Sequence, residues 1–338
     1  MPEKQLTIID IARRLNLSKS TVSRAFRDTY DVNPETRRKV LELARELDFE
    51  PSSIAMGLRQ HKTYTIGVVI PSFRIPFYSV AISGIQDVFS SAGYNVMTCQ
   101  SNESCEMEIS NINSLMRSRV DGIMISLSRQ TSIFGHLEKL RKKGVPLVMF
   151  NRICSGLNIP SVSVNDYRSA YMATEYLISR GCRRIVHISG PSGLKLTDDR
   201  KSGFIDCLKE NNQGYNENLV IESDFSIESG GNAALQIVQM KELPDAIFCV
   251  CDAVAFGVIG VLKRNGIRIP ADISIMGFTD EPAAAFIDPP LTTVSQPINE
   301  IGKTAADLLL KQINRKLNVK ENTKINLDTS LIIRKSTL

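Results

Sequence analysis

From Tyr64 onward the sequence repeats one pattern, in which a short, continuously apolar run is followed by a stretch with helical spacing. The apolar runs include TIGVVIP, DGIMISL, VPLVMFN, RRIVHIS, AIFCVC and ISIMGF. Runs that are apolar at every position are typical of parallel strands buried on both faces. About ten such strands are too many for one comfortable sheet, so the pattern predicts an α/β core of two doubly wound parallel-sheet lobes. In such sheets ligands bind in the crevice outside the carboxyl ends of the strands.

Several function classes are disfavoured by what the sequence lacks. The longest apolar segment, residues 246–262, carries Asp252 in its middle and predicts a buried strand running into a buried helix, not a membrane span. Seven cysteines form no C-x-x-C pair and only three histidines occur, so we expect reduced thiols, no metal and no cofactor. The segment MPEKQLTIIDIARRL lacks the apolar core of a signal peptide, which favours the cytoplasm.

An enzyme is also disfavoured. The sequence has no G-x-G-x-x-G, no Walker loop and no G-x-S-x-G motif. His61, His136 and His187 are scattered and suggest no catalytic triad. We therefore expect no catalytic residues.

The first 50 residues have a different character and predict three short helices. Thr7 is a good N-cap for a first helix with an apolar stripe, and Ser18 caps a second helix that extends to about Phe26. Asn33 followed by Pro34 is a strong start signal for a third helix. The three narrow apolar stripes predict a small helical bundle.

The second helix has one polar face, because its side chains at i, i+3, i+4 and i+7 are Ser20, Ser23, Arg24 and Arg27. A first helix, a three-residue break and a second helix with a polar outer face is the helix-turn-helix plan, whose second helix enters a DNA major groove. Spacing alone leaves a plain solvated helix face equally open. Residues 1–62 hold 12 Lys and Arg against 9 Asp and Glu, a modest basic excess that is weak evidence for a polyanionic partner.

Resemblance to a known family resolves this ambiguity. Residues 6–27, LTIIDIARRLNLSKSTVSRAFR, contain the pattern T-I-x-D-I-A followed by L-x-x-S-x-x-T-V-S-R and resemble the start of LacI/GalR-family transcription regulators. PSSIAMGLR resembles the family's hinge segment, and residues 268–297, RIPADISIMGFTDEPAAAFIDPPLTTVSQP, resemble a stretch near the end of its effector core. The similarity covers essentially the whole chain.

The resemblance implies three parts: a helix-turn-helix headpiece (1–50), a hinge helix (51–63) and an effector-binding and dimerisation core (64–338). Within the core we expect lobe 1 to span about 64–163 plus 292–324, and lobe 2 about 164–291 plus 325–338. Such a core is periplasmic-binding-protein-like.

It also assigns DNA contacts. The candidates for reading bases are Lys19, Ser20 and Arg24. The candidates for the DNA backbone are Thr7, Ser18, Thr21, Ser23, Arg27 and Asn33. The candidates for the minor-groove hinge are Ala55, Met56, Leu58 and Arg59, with Leu58 as the wedge at the operator centre. The alternative for Leu58 is a linker residue that packs on the core.

The effector contacts implied by the resemblance are Phe77, Tyr78, Asn151, Arg200, Phe225, Cys251, Asp252, Thr279 and Asp280. Thr279 stands where an Asp usually grips ligand hydroxyls, and Asn151 replaces a commoner Asp. Fewer carboxylates around Arg200 would favour an anionic or less hydroxylated ligand. The alternative for Arg200 is a surface ion pair with Asp198 or Asp199.

The expected protein is thus a cytoplasmic, nucleoid-associated homodimer that binds a roughly palindromic operator as a transcriptional repressor. A sugar or sugar acid bound between the lobes would control it, in a direction that the sequence leaves open. The alternative is a two-lobed solute-binding protein of a transport system, which would need export and no DNA-reading head.

Overall fold

A computed structural model describes residues 6–26, 32–49, 62–314 and 323–338. The chain divides into two compact units between Tyr64 and Thr65. Each unit has its own hydrophobic core.

The N-terminal unit contains three helices: α1 (Ile8–Leu15), α2 (Lys19–Ala25) and α3 (Pro34–Glu46). Their starts confirm the predicted caps, since the Ser18 hydroxyl accepts from the Thr21 N–H at 3.0 Å and the Asn33 side chain accepts from the Glu35 N–H at 2.9 Å. The Thr7 N–H donates to the Asp10 carboxylate at 3.0 Å, which completes the first turn of α1. The core of this unit consists of Ile11, Ala12, Val22, Ala25, Val40 and Ala44.

The second unit contains two six-stranded sheets and the helices that cover them. The strands are β1 (Thr65–Ile70), β2 (Asn95–Gln100), β3 (Gly122–Ile125), β4 (Leu147–Phe150), β5 (Ser161–Val164), β6 (Ile185–Ser189), β7 (Val220–Glu222), β8 (Ala246–Cys249), β9 (Ser274–Thr279), β10 (Thr292–Ser295), β11 (Lys324–Leu327) and β12 (Ser330–Ile332). The helices are α4 (Pro76–Ser91), α5 (Cys105–Arg117), α6 (Gly135–Lys142), α7 (Asp166–Ser179), α8 (Lys195–Glu210), α9 (Ile227–Val238), α10 (Asp252–Arg264) and α11 (Ile298–Ile313). Short 3₁₀ helices lie at Glu217–Leu219 and Pro282–Ala285.

The strand order confirms the predicted doubly wound lobes. The sheet of lobe 1 has the order β11-β5-β4-β3-β1-β2, and the sheet of lobe 2 has the order β12-β10-β9-β8-β6-β7. All pairings are parallel except that of β12 with β10. The predicted strand and helix within residues 246–262 are β8 and α10, and their side chains are largely buried.

The expected lobe boundary at residue 292 is wrong. Strand β10 pairs with β9 in lobe 2, with Thr292 opposite Met276, and the chain enters lobe 1 only afterwards, where α11 packs on α4. The return to lobe 2 expected at residue 325 also comes too early in the chain, because β11 (Lys324–Leu327) pairs with β5 in lobe 1. Three crossings therefore join the lobes, after β5, after β10 and after β11.

Glycines allow the helices of lobe 2 to approach closely. A Cβ at Gly203 of α8 would lie 2.2 Å from the carbonyl oxygen of Tyr167 in α7, and a Cβ at Gly257 of α10 would lie 1.9 Å from that of Ile227 in α9. These separations are well below van der Waals contact, so only glycine fits at either position. The close pairs fix the helices whose N-termini face the other lobe.

Among the described residues, no helix is both long and apolar enough to cross a membrane. Within the same residues no group of His, Cys, Asp and Glu side chains is arranged to hold a metal ion. The cysteines are free thiols.

Candidate functional site

The outer face of α2 is the candidate DNA-reading surface. Val22 and Ala25 are fully buried, which turns Lys19, Ser20 and Arg24 outward as exposed side chains. Thr21 and Ser23 flank this face and are half-buried. The helix therefore presents two cations and a hydroxyl to solvent, with Lys19 and Ser20 in its first turn and Arg24 in its last turn, an arrangement suited to an anionic groove.

The hydroxyl groups at the helix N-termini already make hydrogen bonds within the N-terminal unit. Ser18 Oγ lies 2.7 Å from Ser20 Oγ and 2.8 Å from Thr21 Oγ1, in addition to its cap bond. The Thr7 hydroxyl donates to Asp10 at 2.7 Å. Thr7, Ser18 and Asn33 are exposed and Thr21 is half-buried, and the contacts of these residues with a DNA backbone stay predictions. Arg27 and the hinge candidates Ala55, Met56, Leu58 and Arg59 lie outside the described residues.

A cavity of about 110 Å³ lies between the two lobes of the core. Seven of the nine predicted effector residues line it: Phe77, Tyr78, Asn151, Arg200, Phe225, Cys251 and Thr279. These residues come from both lobes. Each lies either in a segment that follows the carboxyl end of a strand or at the start of a helix near such an end. The cavity thus occupies the place where doubly wound sheets bind ligands.

Aromatic rings form much of the wall. Phe77 and Tyr78 meet edge to face with their centroids 5.3 Å apart, and Phe225 faces them from lobe 2. The Tyr78 hydroxyl bonds to Ser126 Oγ at 2.9 Å and accepts from the Asn151 amide at 3.3 Å. Burial raises the pKa of Tyr78, so its hydroxyl stays protonated near neutrality.

Three lining residues have backbones in the left-handed region, with φ of 58° at Asn151, 72° at Phe225 and 128° at Thr279. For a β-branched threonine or a phenylalanine this conformation is strained. Such strain persists where the surrounding structure holds the residue in place, and it concentrates at ligand sites. The backbone therefore aims these side chains at the cavity at an energetic cost.

Arg200 is buried, and its carboxylate partner is neither Asp198 nor Asp199. Its Nε and Nη2 lie 2.8 Å and 2.7 Å from Asp166 Oδ1, and Nη1 donates to the Val250 carbonyl at 2.7 Å. The guanidinium also stacks 3.5 Å from the centroid of the Phe278 ring. The alternative of a surface pair with Asp198 or Asp199 is wrong.

Two predicted effector residues do not line the cavity. Asp252 is fully buried, and its carboxylate accepts from Thr293 Oγ1 at 2.6 Å and from the Glu281 N–H at 2.7 Å. Burial raises the pKa of Asp252 to about 6. Asp280 pairs with Arg334 at 2.7 Å. Both carboxylates are held by partners within lobe 2, and their contact with an effector stays a prediction.

Sequence reasoning also missed lining residues. The missed polar ones are Arg74, Arg152, Glu281 and Gln296. Arg152 and Gln296 could have been found from their positions, because each follows the end of a strand that faces the cleft. The apolar side chain of Leu196 lines the cavity as well.

A helix-turn-helix unit with a cationic outer face and a core with a cavity between its two lobes define a class of protein, the DNA-binding regulator with a small-molecule site. Comparison with known proteins agrees. Residues 7–52 match the family of bacterial regulatory proteins, lacI family, and residues 174–337 match the periplasmic binding protein-like domain.

Curated relatives extend the match to nearly the whole chain. Catabolite control protein A of Priestia megaterium is 33% identical over 92% of this chain and 93% of its own. The ribose operon repressor of Halalkalibacterium halodurans is 32% identical over 98% and 97%. A crystal structure of the lac repressor dimer bound to operator and the anti-inducer ONPF superposes with a TM-score of 0.90 at 25% identity, covering 99% and 100% of the two chains. The chain belongs to the lacI family of bacterial regulatory proteins and is a DNA-binding transcriptional regulator.

Proposed function

We propose that this chain is a homodimeric repressor whose affinity for a roughly palindromic operator is set by a small carbohydrate-like effector in the interlobe cavity. The observation that carries the proposal is the presence, in one chain, of an outward cationic face on α2 and a cavity with two buried guanidiniums. A dimer places two headpieces on two half-sites, which accounts for the operator symmetry. Its place is the cytoplasm, beside the DNA.

In this mechanism α2 lies in the major groove. Arg24 and Lys19 reach guanine acceptors, and Ser20 lies beside them. Thr7, Ser18, Thr21, Ser23 and Asn33 hold phosphates together with Arg27, while the hinge residues Ala55, Met56, Leu58 and Arg59 enter the minor groove. The side chains of the cavity bind the effector and catalyse no reaction.

Effector binding changes operator affinity by stabilising one relative arrangement of the lobes. Three crossings connect the lobes, so a ligand that contacts both can shift their angle. A coupling of roughly 1–3 kcal/mol between cavity and operator is enough for a useful switch. The names of the relatives, a ribose operon repressor among them, support a sugar-like effector. A solute-binding role in transport gives the headpiece no purpose and is disfavoured.

The test of DNA reading is Arg24→Ala in the full-length protein, on a duplex selected in vitro for binding and on the same duplex with one base pair changed. A bidentate contact predicts that the discrimination between the two duplexes falls by about 1–3 kcal/mol. Fluorescence anisotropy titrations measure both affinities. The matched control is Lys39→Ala, which removes a cation from α3 that pairs with Glu35 at 3.0 Å.

Unchanged discrimination, with a uniform loss of affinity and a salt slope smaller by about 1, would show that Arg24 contacts only phosphate. An equal effect of Lys39→Ala would contradict the assignment of base reading to α2. Either result would leave the effector site unaffected.

A further inference from the structure

Both buried guanidiniums of the cavity are already neutralised by carboxylates of the protein. Arg152 Nη1 donates to both oxygens of Glu103, at 2.9 Å and 2.7 Å, and Arg200 pairs with Asp166 at 2.7 Å. These four residues form two closed ion pairs, one in each lobe. An anionic ligand would therefore be desolvated in the cavity without meeting an uncompensated buried cation. This argues against one of the two ligand types expected from the sequence, an anionic ligand beside Arg200, and does not bear on the other, a less hydroxylated ligand.

The unmet hydrogen-bonding capacity of the cavity includes a buried acceptor. Gln296 is only 8% exposed, and its Oε1 has no hydrogen-bond partner among the described residues. Its Nε2 makes one long bond of 3.4 Å to Thr279 Oγ1. A buried acceptor without a partner costs about 1–3 kcal/mol, and a ligand that donates to it recovers that energy. Gln296 also lies on the crossing that follows β10.

Glu281 provides a second acceptor. Its side chain lines both the cavity and an adjoining groove, and the structure gives its carboxyl group no hydrogen bond within the described residues. Its backbone N–H donates to the Asp252 carboxylate at 2.7 Å, and this bond holds the backbone of Glu281 in place. Thr279 lies two residues earlier on the same wall. A carboxylate therefore lines the cavity two positions after Thr279.

We propose that Glu281 is a specificity-determining residue that acts with Gln296 to select a neutral effector rich in hydrogen-bond donors over its acidic counterpart. The inference rests on the proposed function, because it assumes that the effector occupies this cavity. The hydroxyls of a sugar ring or the N–H groups of a neutral heterocycle supply such donors. A carboxylate or phosphate facing Glu281 meets like charge and gains no free buried cation.

The ionisation of Glu281 gives a second signature. Burial and the carboxylate of Asp252 raise the pKa of Glu281 to about 7. The titratable and charged groups around it are Asp252, Asp280, Cys251, Glu300, Arg74, Arg152 and Arg200. Arg74 is exposed, Asp280 is held by Arg334, and the pKa of the Cys251 thiol is raised to about 12 by burial, so the thiol stays neutral. As the pH rises from 6 to 8, Glu281 becomes a stronger acceptor.

The experiment is isothermal titration calorimetry of the full-length protein with matched pairs of neutral and acidic probes: D-ribose with D-ribonate, D-glucose with D-gluconate, and adenosine with adenosine 5′-monophosphate. For the neutral probe that binds, Glu281→Gln should raise Kd about tenfold or more at pH 8. In the wild type its affinity should rise about tenfold from pH 6 to pH 8, and in the variant it should change little. The matched control is Glu300→Gln, which removes a carboxylate from the adjoining groove but not from the cavity.

Gln296→Leu separates binding from folding. Because the variant removes a buried acceptor that lacks a partner, the ligand-free Tm should stay the same or rise, while the neutral probe binds more weakly. A residue with only a structural role would lower Tm and weaken binding together. That combined loss would remove Gln296 from the inference.

The inference is overturned if no neutral probe binds, if an acidic probe binds more tightly than its neutral partner, or if Glu281→Gln changes affinity no more than Glu300→Gln. Acid binding that Arg74→Gln abolishes would identify Arg74 as the selecting residue instead. Operator titrations with and without the bound probe test the proposed function separately. A probe that binds as described but leaves operator affinity unchanged contradicts the proposed function and leaves the selectivity of the cavity intact.

Discussion

Arg200→Met tests whether the buried ion pair of lobe 2 is part of the fold as well as of the cavity. The substitution keeps most of the apolar stem but leaves the Asp166 carboxylate, 6% exposed, without its cation. Removing one partner of a buried pair typically costs about 3–5 kcal/mol, because a buried charge is left uncompensated. The Val250 carbonyl and the face of Phe278 also lose a partner. We therefore expect the free energy of unfolding of the core to fall by about 4 kcal/mol near pH 8.

The pH dependence of this loss has a defined sign. Burial raises the pKa of Asp166 even in the presence of Arg200, whose charge lowers it. Without Arg200 the pKa of Asp166 rises further, so the carboxyl takes up a proton as the pH falls. A carboxyl with a raised pKa in the folded state destabilises most at high pH. The difference between variant and wild type should therefore be smaller at pH 5 than at pH 8.

Urea unfolding followed by circular dichroism at both pH values measures the effect, and a double-mutant cycle isolates it. Asp166→Asn alone leaves the guanidinium without its carboxylate, whereas Arg200→Met with Asp166→Asn removes both charges and should cost less than the sum of the single changes. The control is Arg268→Met, which opens an exposed ion pair with Asp272 and should cost at most about 1 kcal/mol. A loss at Arg200 no larger than at Arg268, or additive single changes, would refute the reasoning.

Two smaller perturbations test the elements that carry the sites. Ser18→Ala removes the cap of α2 and should lower the stability of the N-terminal unit by about 0.5–2 kcal/mol, measured by amide hydrogen exchange; unaltered protection in α2 would contradict the cap. Gly203→Ala places a Cβ 2.2 Å from the Tyr167 carbonyl oxygen and should destabilise the core by about 1–3 kcal/mol in thermal unfolding. Gly135→Ala is its control, since a Cβ there meets nothing within 4 Å and should be neutral or stabilising.

Local signals predicted the elements well. The caps at Ser18 and Asn33 and the apolar stripes of the three short helices followed from the sequence, because a helix start and its apolar stripe depend on residues within a few positions of each other. The continuously apolar runs likewise predicted parallel strands and two lobes. Each of these signals depends only on residues within a short segment of the chain.

The assignment of strands to the two lobes was harder to predict from the sequence. The run that forms β10 is short and apolar like its neighbours, and nothing within it distinguishes pairing with β9 from pairing with a strand of lobe 1. The choice depends on α11, which begins three residues after β10 and packs on α4. A crossing between lobes is thus a long-range property. For this reason the expected boundary fell before β10 instead of after it.

The acidic residues of the cleft show the same limit most clearly. Asp252 follows β8 and was expected to face the effector, but Gly277 leaves room behind it: a Cβ at Gly277 would lie 2.1 Å from Asp252 Oδ1. The carboxylate turns into that space and bonds to Thr293, while Asp280 is held by Arg334, 54 residues further along the chain. Each of these two carboxylates is thus engaged by a residue that is distant in the sequence. Glu281 keeps its capacity because none of the described residues hydrogen-bonds its side chain, and long-range partners of this kind cannot be read from local sequence.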